Sequence, residues 1–173
     1  MQIDTPVLVG DGFVLRVLEL TDAEAWKAGE DVEQIRWFEA PGPSPMENVA
    51  RAIERWPAGW EEAGPRRHWG IWTEGVLCGG VEVRVRDDGR ARASYLVFPP
   101  ARRMGLASKS LRLAAEWAFP NLGVSAVVAV IDELNLASRD AAMKAGFSLE
   151  GPAEPWEHSE SGSMLRFVLP AAG

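Results

Sequence analysis

One stretch of the sequence has the residue types and order that bind a small anion. It reads Tyr95-Leu-Val-Phe-Pro-Pro-Ala-Arg102-Arg-Met-Gly105-Leu-Ala107-Ser108 and runs from a predicted strand through a basic loop into a helix. The first N–H groups of a helix have no intrahelical partner and carry the positive end of its dipole, so they attract phosphate. Gly105 allows close approach of the backbone, and Ala107 keeps the next turn small. An ordinary arginine-rich helix start is the alternative interpretation, and neither a Walker loop nor a dinucleotide fingerprint is present.

A second stretch, about thirty residues further on, narrows the interpretation. It reads Asn135-Leu-Ala-Ser138-Arg-Asp-Ala-Ala-Met-Lys-Ala-Gly146-Phe147. Arg-x-x-Gly-x-Ala followed by Asn-x-x-Ser-x7-Gly-Phe resembles the GNAT superfamily of N-acetyltransferases. The continuation Phe147-Ser-Leu-Glu-Gly151 is similar to the ribosomal-protein N-terminal (Rim-type) acetyltransferase branch. The resemblance extends over essentially the whole chain in the order of its elements.

The resemblance implies acetyl-CoA as acyl donor and a central sheet that splays between the strands at 91–98 and 124–131. Pantetheine would lie in the gap along β-strand backbone, the pyrophosphate would rest on the helix start, and Asn135 would border the pantetheine arm. The predicted donor-binding residues are Leu96, Val97, Phe98, Arg102, Arg103, Met104, Gly105, Leu106, Ala107, Ser108 and Asn135. Arg103 departs from the family pattern, because it stands at the usual first glycine of the loop.

The predicted chemistry is transfer of an acetyl group from an activated thioester to a neutral amine. Many relatives carry a tyrosine acid at the position of Ala142, so that mechanism is not available here. By the Rim-type pattern, Ser138 is the predicted acid and Glu157 the predicted base. Glu82 and Glu150 are alternative bases, and a solvated loop carboxylate is the alternative interpretation of Glu157.

The acceptor side is less well determined by the sequence. By position in the family, Trp37, Phe38 and Tyr95 are the predicted acceptor-binding residues. Eight tryptophans are present, and core packing is the more common role for any one of them. Acceptor recognition departs from the branch, since Arg92-Ala-Ser-Tyr95 replaces a Glu-Ile-Gly-Tyr sequence. A protein or peptide N-terminal amine is the leading acceptor, a small-molecule amine is the rival, and a silent CoA-binding module is the non-enzymatic alternative.

The elements that must position these residues follow from hydrophobic periodicity and turn signals. We predict a strand around Val14 to Leu18, a helix after Thr21-Asp22, and a helix from Ser44-Pro45. Strands follow at 68–72, 76–85, 91–98, 124–131, 147–149 and 164–169, with helices at about 105–118 and 135–145. This order predicts a single α/β sandwich on a mixed sheet, one N-acetyltransferase domain over residues 1–173.

Composition limits the other classes of function. The net charge of -7 argues against nucleic acid as a partner and favours a cationic acceptor over an anionic one. No apolar run reaches membrane-span length, so no membrane is expected, and a single cysteine fits a reducing, cytoplasmic location. No metal is expected, and a homodimer is compatible with the sequence.

Overall fold

The computed structural model describes residues 5–61, 64–157 and 162–172. The strands are β1 Leu8–Gly10, β2 Phe13–Arg16, β3 Arg66–Thr73, β4 Val76–Val85, β5 Ala91–Val97, β6 Ala126–Asp132, β7 Ser148–Pro152 and β8 Met164–Pro170. The α-helices are α1 Ala23–Ala28, α2 Val32–Trp37, α3 Met46–Arg55, α4 Ala58–Glu61, α5 Leu106–Leu122 and α6 Leu136–Lys144.

The eight strands form one mixed sheet in the order β1-β2-β3-β4-β5-β6-β8-β7. All neighbouring strands are antiparallel except β5 and β6, which run parallel. Their ladder ends with the pair Ala93 and Ala129, although β5 continues to Val97 and β6 to Asp132. The predicted α/β fold and its splay are therefore confirmed, and the gap opens between the C-terminal halves of the two strands.

Each face of the sheet carries its own apolar core, because side chains alternate along every strand. On one face, α5 and α6 cover the larger core. Its members include Leu15, Ile71, Val81, Val83, Ala93, Val127, Leu111, Ala114, Ala142 and Phe167. On the other face, α1 and α3 cover a smaller core of Leu18, Ala23, Val49, Ile53, Trp72, Leu77 and Phe98.

The predicted elements are present, and the structure adds three that the sequence did not predict. Strand β1 is the first of them: it pairs with β2 in a hairpin, and its three residues are too few to show an alternation of polar and apolar residues. Helix α2 buries no residue and so has no apolar periodicity to detect. Helix α4 is a single turn after Pro57. Helix α5 runs past its predicted end through Pro120 and stops at Gly123, which has φ 64°.

Candidate functional site

The gap between β5 and β6 exposes backbone groups that the sheet does not pair. Backbone N–H and C=O groups point alternately to the two sides of a strand. The Phe98 N–H donates to the Cys78 carbonyl at 2.8 Å, so Phe98 and Leu96 direct their backbone groups towards β4. Val97 lies between them and directs its N–H into the gap. Of the three residues predicted to offer backbone groups to the donor, Leu96 to Phe98, only Val97 directs its N–H into the gap. The side chains of Leu96 and Phe98 pack in the α1–α3 core.

The loop that follows β5 forms an open cradle at the start of α5. Gly105 caps the helix with φ 75°, and a side chain added there would extend into open space up to Lys109. Arg103 has φ 65°, a left-handed conformation that glycine adopts without strain, which explains the glycine of the family pattern at this position. No acidic residue lies in the first turn, so the free N–H groups of Leu106, Ala107 and Ser108 keep their affinity for an anion.

The basic side chains around this cradle are mostly engaged by carboxylates. Arg102 contacts Asp31 at 2.7 Å and Glu33 at 3.0 Å, and its Nε donates to the Val97 carbonyl at 3.0 Å. Lys109 lies 3.6 Å from Asp11. Among the residues that the structure describes, Arg103 has no ion pair, and it is exposed beside the exposed Met104. Arg102 therefore holds α2 against the loop, and Arg103 is the arginine left for a ligand.

Two predicted site residues meet across the gap. The Tyr95 hydroxyl on β5 donates to the Ser138 carbonyl at 2.8 Å and lies 2.9 Å from Ser138 Oγ in the first turn of α6. Burial raises the pKa of Tyr95 to about 12, so the phenol keeps its proton at neutral pH. Asn135 caps α6, and its Oδ1 accepts a hydrogen bond from the Ser138 N–H at 3.1 Å. Tyr95 thus lies on the α5–α6 face and fixes Ser138, the predicted acid.

Glu157 is buried among arginines. It ends the 3-10 turn Pro155–Glu157, and its side chain is 2% exposed. Its carboxylate lies 3.6 Å from Arg86 Nη1 and 3.3 Å from Arg166 Nε, and it accepts a hydrogen bond from the Glu154 N–H at 3.2 Å. A loop carboxylate in open solvent is therefore the wrong interpretation of Glu157.

A second carboxylate lies on the face of β4 that carries α1 and α3. Glu82 points there because Val81 and Val83 point to the α5–α6 core. Its cross-strand neighbours are His68 and Ser94, and Arg66 Nε lies 3.9 Å from it. Burial raises the pKa of Glu82, with Arg66 and Arg84 opposing the shift.

Beyond the α1–α3 core, this face carries polar side chains beside the apolar Val128, Val130 and Val168. The polar side chains are those of Glu82, Arg84, Arg86, Arg92, Ser94 and Arg166, and this set is called the polar face below. The sequence predicted Glu82 as an alternative base and marked Arg92 and Ser94 only as part of a departure from the family's acceptor sequence. The alternation Glu82-Val-Arg84-Val-Arg86 in a predicted strand is the signal that would have found the others.

Comparison with known proteins decides the family. The family model described as "Acetyltransferase (GNAT) domain" matches residues 13–148. The chain belongs to this family. The predicted enzyme class is thereby confirmed: the protein is a GNAT N-acetyltransferase, which uses acetyl-CoA as its donor.

Individual relatives agree with the assignment. The chain is 29% identical over 151 residues to the uncharacterized N-acetyltransferase YoaA of Bacillus subtilis, covering 84% of this chain and 85% of YoaA. Mycobacterium smegmatis RimJ in complex with CoA-disulfide has a TM-score of 0.80 at 19% identity, covering 96% and 86% of the two chains. The microcin C7 self immunity acetyltransferase MccE, in complex with acetyl-CoA and AMP, has a TM-score of 0.80 at 18% identity and covers 93% of each chain. At these identities the two structures establish the fold.

The acetyltransferase places Val97 and Ser138 at one gap, but the predicted acceptor residues lie apart from one another. Trp37 is half-buried under Arg36 at the end of α2, and Phe38 follows it with 51% of its surface exposed. Tyr95 instead contacts α6. Trp56 stacks on His68 and Trp60 packs against Trp69, so these two tryptophans serve packing.

Residues 5–61, 64–157 and 162–172 contain no cluster of three or more His, Cys, Asp or Glu that could hold a metal ion. None of their helices has the length and apolar character needed to cross a membrane.

Proposed function

We propose that this acetyltransferase transfers the acetyl group of acetyl-CoA to the α-amine of a protein or peptide N-terminus, as in the Rim-type branch. The observation that carries the proposal is the juxtaposition at the gap: the Val97 N–H points into it, and Ser138, fixed by Tyr95, lies across it. The open cradle at Gly105 fits the donor, since a pyrophosphate needs the space that a side chain would fill. Arg103 to Ser108 would hold that group, with Asn135 and Val97 along the pantetheine arm.

The Val97 N–H is the proposed oxyanion donor. It is fixed in a strand that β4 holds on its other side, so it needs no reorganisation as charge develops on the thioester oxygen. Ser138 is the proposed acid that protonates the departing thiolate. Tyr95 keeps the Ser138 hydroxyl in place and, with its raised pKa, remains a donor throughout.

Glu157 is the proposed base, acting on the amine directly or through water. An α-amine with a pKa of about 7.7–8.0 needs less help in losing its proton than a lysine at about 10.4. Glu157 lies 3.6 Å from Arg86 and 3.3 Å from Arg166, which hold its carboxylate in place. Glu82 is the competing base, supported by its raised pKa. The two candidate bases are distinguished by which glutamine variant, Glu157→Gln or Glu82→Gln, loses more of its kcat.

Direct transfer, without an acyl-enzyme, is part of the proposal. Cys78 is buried against the α5–α6 core, and its Sγ lies 3.0 Å from Thr73 Oγ1. A nucleophilic cysteine needs exposure and a neighbouring base or positive charge. Cys78→Ala should therefore keep its turnover.

The test is a thiol-release assay with acetyl-CoA on matched acceptors: a peptide with a free α-amine, the same peptide Nα-blocked but carrying lysine, and small primary amines. The proposal expects turnover of the free α-amine alone. Preferred turnover of small amines would favour a small-molecule acceptor. Acetyl-CoA binding without any turnover would favour a silent CoA-binding module.

A further inference from the structure

The polar face holds two arginines that form no ion pair within the part of the chain that the structure describes. Arg84 on β4 and Arg92 on β5 lie directly opposite each other in the ladder. Both point away from the α5–α6 core, to which their neighbours Val83, Ala91 and Ala93 belong. Within residues 5–61, 64–157 and 162–172, neither guanidinium makes an ion pair or a side-chain hydrogen bond.

The other arginines of this region are already paired. Arg86 and Arg166 share Glu157 at 3.6 and 3.3 Å, and Arg66 lies 3.9 Å from Glu82. Glu82 and Glu157 thus make their ion pairs with other arginines, and they act on Arg84 and Arg92 only through longer-range charge. Arg84 and Arg92 remain as a local excess of positive charge in a chain whose net charge is -7.

A bound anion would offset the like charge of these two arginines. Like charges directly opposite on neighbouring strands destabilise a sheet. Arg92 is also half-buried: burial lowers its pKa, Arg86 and Arg84 lower it further, and Glu157 opposes them. A carboxylate or phosphate bound between Arg84 and Arg92 would remove the repulsion and receive charge-assisted hydrogen bonds from both guanidinium groups.

The distance between Arg92 and Val97 determines how far from the reacting amine the acceptor must carry its anionic group. Arg92 precedes Val97 by five positions on β5, which is about 16 Å along the strand. An arginine side chain spans part of this distance. An extended peptide advances roughly 3.3–3.6 Å per residue, so an acidic side chain at its second to fourth residue would reach the arginines while the amine lies at Val97.

We propose that Arg84 and Arg92 bind an anionic group of the acceptor, so that the enzyme selects amines that carry a carboxylate or phosphate at this distance. The inference rests on the proposed function, because it takes the amine to react beside Val97. It reverses the expectation from net charge, which favoured a cationic acceptor. The local charge of the polar face, rather than the charge of the whole chain, faces the acceptor.

The test compares peptides that share a free N-terminal serine and differ at the third residue, Glu, Gln or Lys. Wild-type kcat/KM should be about 10- to 100-fold higher for the Glu peptide than for the Gln peptide, mainly through KM. Arg92→Gln should remove this preference, so that the ratio of kcat/KM for the Glu and Gln peptides falls to about one. Arg92→Lys should restore part of it, which a merely structural role would not. Arg84→Gln should weaken the preference.

Arg51→Gln is the matched control, because Arg51 is exposed on α3 and its loss changes the net charge equally. It should keep the full preference. A parallel arm compares a primary aminoalkyl phosphate with its dephosphorylated form, and selectivity confined to this arm would identify a small-molecule source of the anion. Equal rates on charged and neutral acceptors in both arms, or a preference that survives Arg92→Gln, would overturn the inference.

A binding measurement separates this inference from the proposed function. The dissociation constants of the Nα-acetylated Glu and Gln peptides, measured calorimetrically with CoA present, require no turnover. If no acceptor is acetylated, the proposed function fails, and tighter binding of the Glu peptide that Arg92→Gln abolishes would still support the anion site. Equal binding of the two peptides would overturn it.

Discussion

The Tyr95 hydroxyl lies 2.9 Å from Ser138 Oγ and joins β5 to the helix that follows β6, across the gap in the sheet. The same hydroxyl donates to the Ser138 carbonyl at 2.8 Å. Tyr95 is therefore both a brace between the two sides of the gap and the group that orients the serine. Because burial raises the pKa of Tyr95 to about 12, the phenol is protonated near neutral pH.

Replacing Ser138 and Tyr95 one at a time should distinguish the proposed acid from the residue that positions it. Ser138→Ala should lower kcat by about 10- to 100-fold, less than a full general-acid contribution, because water can also protonate a thiolate. Tyr95→Phe should cost about 1 kcal/mol in the free energy of unfolding, and its kcat should fall less than that of Ser138→Ala. Steady-state kinetics and urea unfolding of both variants provide the measurements. A larger kcat loss for Tyr95→Phe would make the phenol the acid.

The motif residues were predictable because their function depends on local backbone. Gly105 starts α5 and Asn135 caps α6 as their positions in the sequence indicated. Each is recognised within one turn of a helix, so no long-range contact is needed to find it. The splay between β5 and β6, by contrast, was available only through resemblance to a family.

The partners of the basic residues were not predictable from the chain. Arg102 looked like a phosphate ligand, yet its guanidinium is held by Asp31 and Glu33, about seventy positions earlier. Glu157 was predicted as the base with a solvated loop carboxylate as the alternative, and its burial between Arg86, just after β4, and Arg166 on β8 was not foreseen. Pairings of this kind depend on the register of distant strands, which composition and spacing do not encode.

Acetyl-CoA should stabilise the protein through the cradle at Gly105. At a ligand concentration 100-fold above Kd, the free energy of unfolding should rise by about 2.7 kcal/mol. Gly105→Asp should abolish this gain, because a negative side chain would occupy the space at the helix start. The rise in Tm with acetyl-CoA is the measurement.

Two controls isolate the charge from the backbone strain. Gly105→Asn introduces nearly the same side chain at φ 75° without charge and should retain part of the stabilisation. Gly123→Asp makes the same change at φ 64° at the other end of α5 and should retain all of it. Loss of ligand stabilisation in Gly123→Asp would mean that the effect is one of general stability.

The proposed base should be identified by paired glutamine variants. Glu157→Gln should lower kcat by about 10²–10⁴-fold and leave the affinity for acetyl-CoA nearly unchanged. The pH profile of kcat/KM should lose the limb that reports the base. Glu82→Gln should retain most of the activity. The reverse ranking would transfer the role to Glu82 and leave Glu157 as the residue that holds Arg86 and Arg166.

The acid sensitivity of the fold should depend on His68. This histidine is buried, its ring stacks on Trp56 with a centroid separation of 3.7 Å, and its Nδ1 has no hydrogen-bond partner in the described structure. Burial, aided by Arg66, lowers the pKa of His68 to about 3, whereas an unfolded histidine titrates near 6.5. Below pH 6.5 the unfolded state binds a proton at His68 that the native state does not bind. The contribution of neutral His68 to the free energy of unfolding is therefore full above pH 6.5 and is lost as the pH falls towards about 3.

His68→Phe should therefore flatten the pH dependence of stability. Wild type should lose about 1.4 kcal/mol per pH unit from this group over the lower part of that interval, in addition to the losses from carboxylates that both proteins share. At pH 7 the variant should be as stable as wild type or more so, since phenylalanine keeps the stacking on Trp56 and removes an unpaired buried nitrogen. Urea unfolding of both proteins between pH 7 and pH 4 measures the difference. Parallel stability curves would show that His68 is not the group responsible.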